Sequence, residues 1–200
     1  MPSAEKREII FPIGEAFRFC FESIRKRFTR ALITALSIVL GISFMVTLLT
    51  MALILNKIGE AGGGGIQAYQ YWMAAIALLV CGVGIVNSML MSVTERYKEI
   101  GTMKCLGATD GNVLEIFLIE SAILGLLGGL IGSVIGWLVA VIMYGFQFTF
   151  PVVFSVPMLA YLYEIGRAIV VALGISVVAA AYPAWRAARL SPAEALRYEV

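Results

Sequence analysis

The sequence predicts an all-α integral membrane protein with four transmembrane helices. Of its 200 residues, 60% are hydrophobic and only 14% are charged, and the mean hydropathy is +0.92. A water-soluble domain typically has about 45–50% apolar residues. Long uncharged runs recur along the chain, and the Lys and Arg residues gather in alternate connecting segments. These three observations place the chain in a bilayer.

Four runs are long and apolar enough to cross a bilayer, for which about 20 residues suffice. The first span covers residues 31–55 and the second covers residues 72–92, and neither contains a charged residue. The third span covers residues 113–144, with Glu120 in its first turns, and the fourth covers residues 168–185. The first run is too long for a cleaved signal peptide, whose apolar core is about 7–15 residues. We therefore expect it to remain in the mature protein.

The positive charge is divided unevenly among the connecting segments. Thirteen of the 15 Lys and Arg residues lie in residues 1–30, 93–112 and 186–200, whereas residues 56–71 and 145–167 hold one each. Positively charged loops stay on the cytoplasmic side of a membrane. Both termini and the middle loop are therefore predicted to be cytoplasmic. The net charge of +2 gives no reason to expect nucleic acid as a partner.

The composition argues against most enzymatic functions. The sequence contains no histidine, which excludes His-ligated metal sites and Ser-His or Cys-His catalysis. Its three cysteines are far apart and do not imply a disulfide framework. We predict a non-catalytic chain with no bound metal or cofactor of its own.

Residues 1–30 predict an amphipathic cytoplasmic helix. Its charged side chains fall on one face, and such a helix is expected to lie in the inner leaflet near anionic lipid headgroups. The opposite face is apolar and contains Ile13, Phe17, Cys20, Phe21, Ile24 and Phe28. In the tail, the capping-box spacing of Ser191–Glu194 predicts a second short helix.

The middle cytoplasmic loop predicts a short helix of its own. Ser92–Glu95 has the spacing of a capping box, and Gly107 suits the left-handed residue that follows a helix end. Ile100, Met103 and Leu106 are spaced by three and form one apolar stripe. Either lipid headgroups or a groove on a soluble partner would cover such a stripe, and the residues alone leave both possibilities open.

Small residues predict close packing between helices inside the membrane, where lipid tails supply no hydrophobic drive for association. The third span carries two glycine rows spaced by four, formed by Gly125 and Gly129 and by Gly128, Gly132 and Gly136. The fourth span carries a small face formed by Ala168, Ala172, Ser176, Ala180 and Ala184. We expect these two spans to pack together within one chain, with a contact between two copies as the alternative.

Two polar residues lie in deeply apolar surroundings, and such residues mark pathways or hydrogen bonds between helices. Asn87 lies near the cytoplasmic end of the second span, and the favoured interpretation is an interhelical hydrogen bond. Glu120 lies where Arg96 or Lys98 can approach it. A proton-coupled carrier would normally have further carboxylates at depth, and the sequence does not show them.

Three segments of the chain resemble the permease half of MacB/FtsX-type ABC transporters. Residues 82–107, GVGIVNSMLMSVTERYKEIGTMKCLG, are followed by residues 117–129, FLIESAILGLLGG, and both resemble that family. The ending, residues 182–199, YPAWRAARLSPAEALRYE, resembles the family's final segment. The likeness covers nearly the whole chain and is carried by three segments in the family's order.

The resemblance implies a permease, or mechanotransmission, subunit in a prokaryotic plasma membrane. It implies a homodimer or paralogous heterodimer driven by a cytoplasmic ABC ATPase that binds ATP and Mg. The sequence contains no GxxxxGK[ST] phosphate loop, so we expect the ATPase on a separate chain. In the family the helix after the second span docks on the ATPase, which favours a protein groove over lipid here. The corresponding residues are Glu95, Arg96, Tyr97, Lys98, Glu99, Ile100, Gly101, Met103, Lys104, Leu106 and Gly107.

One departure from the family is large. Its members usually place a sizeable extracytoplasmic domain between the first two spans, whereas this chain has only residues 56–71. That loop contains the flexible tract Gly62–Gly65. The chain is therefore either a natural minimal permease or one whose outer domain was replaced by a glycine linker, and we favour the second. The outer partner, an adaptor or another extracytoplasmic protein, is not readable from the sequence.

Two other functions remain open at this stage. A regulator of a cell-wall hydrolase would share every membrane feature of an exporter. A stand-alone small carrier or channel would work without an ATPase, so co-purification of an ATPase separates it from the favoured interpretation.

Overall fold

The computed structural model describes residues 28–59, 68–148 and 157–190. These residues form five helices, which are α1 (Phe28–Gly59), α2 (Ala68–Glu95), α3 (Tyr97–Cys105), α4 (Asp110–Phe148) and α5 (Met158–Ala188). Four of them, α1, α2, α4 and α5, are long and apolar enough to cross a membrane. The predicted all-α membrane fold is confirmed. The predicted amphipathic helix before Phe28, the Gly62–Gly65 tract and the second capping box lie outside the described residues.

The helices extend beyond the apolar runs that nucleate them. Helix α4 has 39 residues, which corresponds to about 58 Å at 1.5 Å per residue and exceeds the roughly 30 Å hydrocarbon core. It begins at Asp110, so residues 110–112, predicted as part of the middle loop, are its first turn. Helix α5 begins at Met158, and residues 158–167, predicted as loop, are helical. The predicted spans stop near charged residues, because hydropathy reports the membrane-embedded part of a helix and not its full length. The sequence analysis therefore did not assign these ends to helices.

Helix α4 packs against α1 and α5 through its glycines, and small residues allow such close approach. A Cβ on Gly125 would lie 2.5 Å from Ser176 Oγ, and a Cβ on Gly129 would lie 2.8 Å from Ala172 Cβ. On α5, the predicted small face is buried, with Ala168, Ala172, Ser176, Ala180 and Ala184 each no more than 1% exposed. The predicted contact between the third and fourth spans is therefore confirmed for this glycine row.

The second glycine row faces a different helix from the one we predicted. A Cβ on Gly128 would lie 2.6 Å from Ile38 Cγ2, and a Cβ on Gly132 would lie 2.9 Å from the carbonyl oxygen of Val39. Gly136 faces the backbone of Ser43. These contacts are all on α1. The two rows lie on different sides of α4, so one helix uses glycine to approach two neighbours at once.

Three buried clusters divide the bundle along its length. The central cluster joins α1, α2, α4 and α5 and includes Ile42, Cys81 and Leu124. A second cluster lies at the end of the bundle that carries α3. A third, at the opposite end, contains Ile54, Tyr144 and Tyr161. Large apolar side chains are exposed on the outside of the four long helices, as expected for a surface that faces lipid tails.

Replacing Gly136 with Ala should destabilise the bundle, because the added methyl group meets the backbone of Ser43. Overpacking of a well-packed site typically costs about 1–3 kcal/mol. Gly174→Ala is the matched control, since nothing lies within 4 Å of a Cβ built there. We expect a lower unfolding midpoint in detergent for Gly136→Ala and no loss for Gly174→Ala. Equal midpoints for the two variants would contradict the assigned contact between α1 and α4.

Candidate functional site

The junction between α2 and α3 is a one-residue break at Arg96. Arg96 has φ −97° and ψ 10°, and no side chain caps the start of α3. Backbone hydrogen bonds continue across the break, from Arg96 N to Val93 O at 3.1 Å and from Ile100 N to Arg96 O at 2.8 Å. Arg96 is therefore hydrogen-bonded through its backbone to both helices.

The predicted capping box is wrong. Ser92–Glu95 forms the last turn of α2, and Thr94 Oγ1 donates to the carbonyl oxygen of Met91 at 2.8 Å. The break occurs at Arg96, whose side chain is bound by a distant partner on α4. A tertiary ion pair, and not a local side-chain cap, is therefore found where α3 begins.

A buried ion pair anchors the beginning of α3. Arg96 Nη1 donates to Glu120 Oε2 at 2.8 Å, and Arg96 Nη2 donates to Glu120 Oε1 at 2.9 Å. The two side chains are 5% and 8% exposed, and the ring of Phe117 lies 5.7 Å from the guanidinium carbon. The expectation that Arg96 or Lys98 approaches Glu120 is confirmed for Arg96. Parallel hydrogen bonds of this kind fix orientation as well as distance.

A second cation anchors the end of α3. Lys104 Nζ donates to Asp110 Oδ1 at 2.8 Å, to the carbonyl oxygen of Leu190 at 2.9 Å and to that of Ala188. Helix α5 ends at Ala188, where the last carbonyl groups have no partner within the helix. A lysine at this position satisfies those groups and interacts favourably with the negative end of the helix dipole. Lys104 therefore joins α3 to the ends of both α4 and α5.

Ile100 holds the middle of α3 against the bundle. Its side chain is 1% exposed and belongs to the buried cluster at this end, together with Val93, Phe117 and Ala187. Gly101 beside it is buried, and Tyr97 packs on the same cluster. The cavity beneath α3 has a volume of about 10 Å³, room for at most about one water molecule. Ile100 and Gly101 therefore lie on the side of α3 that faces the bundle.

The predicted apolar stripe is divided between two environments. Ile100 is buried, Met103 is half-buried, and Leu106 is 81% exposed. Helix α3 ends at Cys105, so Leu106 lies beyond the last helical residue and leaves the face that spacing by three assigns to it. Only Leu106 among these three offers a large apolar side chain to a partner. The exposed side of α3 also carries Lys98 and Thr102.

The turn after α3 depends on Gly107. Its φ is +99°, a region that residues with a Cβ rarely adopt, and the predicted left-handed glycine is confirmed. Gly107 N bonds to Lys104 O at 3.0 Å, and Ala108 N bonds to Met103 O at 3.0 Å. This pair of bonds is a Schellman motif. It turns the chain back so that α4 can begin at Asp110, beside Lys104.

Asn87 lies outside the bundle. Its side chain is exposed on α2 and makes no hydrogen bond among the residues the structure describes. The predicted interhelical hydrogen bond within this chain is therefore wrong for the described residues. The neighbouring Ser88 hydroxyl makes such a bond instead, with Thr34 on α1.

The role of Lys104 as a link to α5 was not predicted. The sequence shows a lysine near a helix end, but its carbonyl partners lie 84 and 86 residues further along the chain. A lysine usually caps the helix that contains it, and nothing local to Lys104 identifies another helix as its target. Asp110, at the start of α4, was the one local signal that a charge partner lies nearby.

Comparison with known proteins places the site in a family context. The profile described as FtsX-like permease C-terminal matches residues 71–192. An uncharacterized ABC transporter permease of Bacillus subtilis strain 168, YknZ, is 44% identical over 127 residues, which are 64% of this chain and 30% of the relative. The macrolide export ATP-binding/permease protein MacB of Rhodopirellula baltica is 40% identical over 138 residues, which are 68% and 19% of the two chains.

An archaeal protein is similar over a shorter stretch. The uncharacterized ABC transporter permease MJ0797 of Methanocaldococcus jannaschii is 48% identical over 77 residues, which are 37% of this chain and 21% of the relative. The matched region of this chain spans less than a third of the length of each of these three relatives. The range matched by the family profile, residues 71–192, contains α3 and its anchors.

Removing the charge of Glu120 should destabilise this site strongly, because Arg96 is then left buried without a counter-charge. Breaking such a pair costs about 3–5 kcal/mol, whereas replacing both partners with apolar residues is often nearly neutral. We expect Glu120→Gln to lower the free energy of unfolding more than the double variant Arg96→Met, Glu120→Leu does, measured by SDS titration. The pairing would be contradicted if the double variant lost as much free energy of unfolding as Arg96→Met and Glu120→Leu lose together when each is measured alone.

Proposed function

This chain belongs to the FtsX-like permease family, and we propose that it is the mechanotransmission subunit of an ABC system. It is an ABC transporter permease of the FtsX/MacB type, with relatives named as ABC transporter permeases and as MacB. In the proposal, a separate cytoplasmic ATPase hydrolyses ATP, with Mg, and α3 is the coupling helix that receives the resulting movement. This chain itself carries out no catalysis.

The anchoring of α3 at both ends is the observation that carries the proposal. Arg96 joins the beginning of α3 to α4, and Lys104 joins its end to α5. A helix that only terminates a membrane span needs neither link. Because both cations are largely buried and Ile100 packs in the buried cluster, a push on α3 acts on two spans together.

The surface of α3 that remains available supports docking of a protein partner. Leu106 is 81% exposed, and Lys98 and Thr102 on α3 are also exposed. An apolar side chain framed by polar ones suits the helix-in-groove mode of recognition. In this proposal Leu106 enters a groove of the ATPase, and Ile100 holds the coupling helix to the permease from the other side.

The charge distribution supports the orientation that the proposal requires. Alternate connecting segments hold 13 of the 15 positive residues, and the segment containing α3 is one of them. By the positive-inside rule, α3 and both termini lie in the cytoplasm of a prokaryotic cell. The ATPase can reach the coupling helix only from that side.

The proposed assembly contains a second permease copy, as a homodimer or a paralogous heterodimer, and work is delivered on the outer side. An export substrate or an extracytoplasmic adaptor would be engaged there. The relative from Bacillus subtilis is named as a permease, which supports placing the ATPase on another chain. The MacB relatives are named as ATP-binding/permease proteins, which supports the functional pairing of the two parts.

Replacing Leu106 with Asp should abolish stimulation of the partner ATPase, because a carboxylate is costly to bury in an apolar groove. Stability should be unchanged, since the native side chain is exposed. Leu106→Met is the matched control and should retain stimulation. The measurements are ATP hydrolysis by the co-purified complex in nanodiscs and the unfolding midpoint of each permease variant.

Ile100→Asp tests the second proposed role of α3, which is its attachment to the permease. It places a charge in the buried cluster, so it should lower the unfolding midpoint as well as the ATPase activity. Full stimulation by a stably folded Leu106→Asp permease would contradict the proposed docking surface.

A further inference from the structure

One side of α5 is left uncovered by the rest of the described chain. Exposed residues recur along it every three or four positions, which places them on one face of the helix. This outer row consists of Val170, Gly174, Val178, Tyr182, Trp185 and Arg189. Its large apolar side chains are 47–75% exposed, and nothing lies within 4 Å of a Cβ built on Gly174. The outer row therefore faces the surroundings of the bundle.

The outer row changes character along its length in the same order as a lipid leaflet. Gly174 and Trp185 are eleven residues apart, or about 16–17 Å along the helix axis. Half of a hydrocarbon core of about 30 Å is about 15 Å. With Trp185 at the edge of the hydrocarbon, where tryptophan is enriched, Gly174 lies near the bilayer midplane. Arg189 lies about 6 Å further out, at the level of the lipid headgroups.

The fold holds Arg189 in place at this end of the row. Its guanidinium carbon lies 4.4 Å from the centroid of the Trp185 ring, and its backbone N donates to Trp185 O at 3.3 Å. Lys104 Nζ donates to the carbonyl oxygens of Ala188 and Leu190, one on each side of Arg189. A guanidinium stacked on a ring keeps its N–H groups in the plane, where they match the oxygens of a phosphate. The position of this cation is therefore set before any ligand binds.

A second cation lies beside the first. Arg186 is exposed and lies three residues before Arg189, so the two side chains are neighbours on the last turn of α5. Among the residues that the structure describes, no carboxylate pairs with either of them, whereas Arg96 and Lys104 at the same end of the bundle are each paired with one. The two arginines are thus available to an anion at headgroup level.

We propose that the outer row of α5 binds one anionic phospholipid, with an acyl chain along Gly174 and Val178 and the phosphate between Arg186 and Arg189. Charge complementarity selects an anionic headgroup, because the amine of a zwitterionic lipid is repelled by the arginines. The apolar part of the row selects a lipid over free phosphate. In the orientation proposed above, this end meets the cytoplasmic leaflet, which carries anionic lipids. An acidic protein surface could reach the cations but would not cover Val178.

Quenching of Trp185 fluorescence by brominated lipids tests this site. Trp72 and Trp137 are replaced with Phe in the full chain, so that Trp185 is the only tryptophan. The permease is reconstituted without an ATPase into phosphatidylcholine vesicles that contain equal fractions of either brominated phosphatidylglycerol or brominated phosphatidylcholine. We expect an apparent affinity at least tenfold higher for phosphatidylglycerol, since each of two basic residues favours an anionic surface by about fivefold.

Single substitutions separate the site from the general charge of this end of the bundle. Arg189→Gln removes one cation of the outer row, and Lys98→Gln is the matched control, because Lys98 is exposed on α3 and outside the row. We expect Arg189→Gln to reduce the selectivity about fivefold and Lys98→Gln to leave it unchanged. Both side chains are exposed, so neither change should lower the unfolding midpoint. Native mass spectrometry of lipids bound to the chain with its own tryptophans repeats the comparison without the two Phe substitutions.

Three results would overturn the inference. The first is equal quenching by the two brominated lipids. The second is an equal loss of selectivity in Arg189→Gln and Lys98→Gln, which would mean that the charge of the whole end, and not a site, attracts the lipid. The third is unchanged lipid selectivity of Arg189→Gln together with loss of ATPase co-purification, which would mean that the arginines bind protein. Because lipid binding is measured without an ATPase, the first two results leave the proposed coupling role of α3 standing.

Discussion

The buried pairing of Arg96 with Glu120 is the constraint on which the geometry of this end of the molecule depends. Two charged groups are removed from water there, and each is stable in that position only because the other is present. The bidentate geometry fixes the direction of the guanidinium. This pair lies at the residue where α2 ends and α3 begins. The position of α3 follows from a contact between residues 24 apart.

The other contacts of α3 make that position rigid. Ile100 fills the cluster between α2, α4 and α5, and Lys104 binds the terminal carbonyl groups of α5. Gly107 then reverses the chain so that α4 starts beside the lysine. Close-packed protein interiors transmit strain. In the proposed mechanism, force applied at the exposed side of α3 reaches two spans that glycine rows also hold against their neighbours.

Periodic and compositional features were predictable from the sequence, and features that depend on distant partners were not. Apolar runs predict the four spans, and glycine spacing predicts which faces of α4 allow another helix to approach closely. The spacing could not show that Gly125 faces α5 while Gly128 faces α1, because both rows satisfy the same pattern. The capping box at Ser92–Glu95 has a valid local form, but the Arg96 ion pair overrides it.

The sequence could suggest one role for the whole segment, but it could not show what each residue of the segment contacts. The resemblance assigned the docking role to the whole segment, so Ile100 and Leu106 were treated as members of one surface. The structure separates them, because α3 is only nine residues long and Leu106 lies past its end. Lys104 was predicted as a site residue only because it lies in this segment. Its carbonyl partners belong to Ala188 and Leu190, which are distant in sequence. Asn87 was expected to face the bundle, but it is exposed. The sequence could not show this, because hydropathy does not report which face of a span meets lipid.

The central claim is that the coupling helix moves as one body with the spans it is anchored to. Electron-spin distance measurements on the complex with its ATPase, with and without ATP, test it most directly. Labels at the exposed positions Thr102 on α3 and Glu115 on α4 report on one subunit, and labels at Leu159 report on the separation of α5 between copies. The account predicts an unchanged distance from Thr102 to Glu115 and a shifted distance between the two Leu159 positions. A shift confined to the first distance would contradict it.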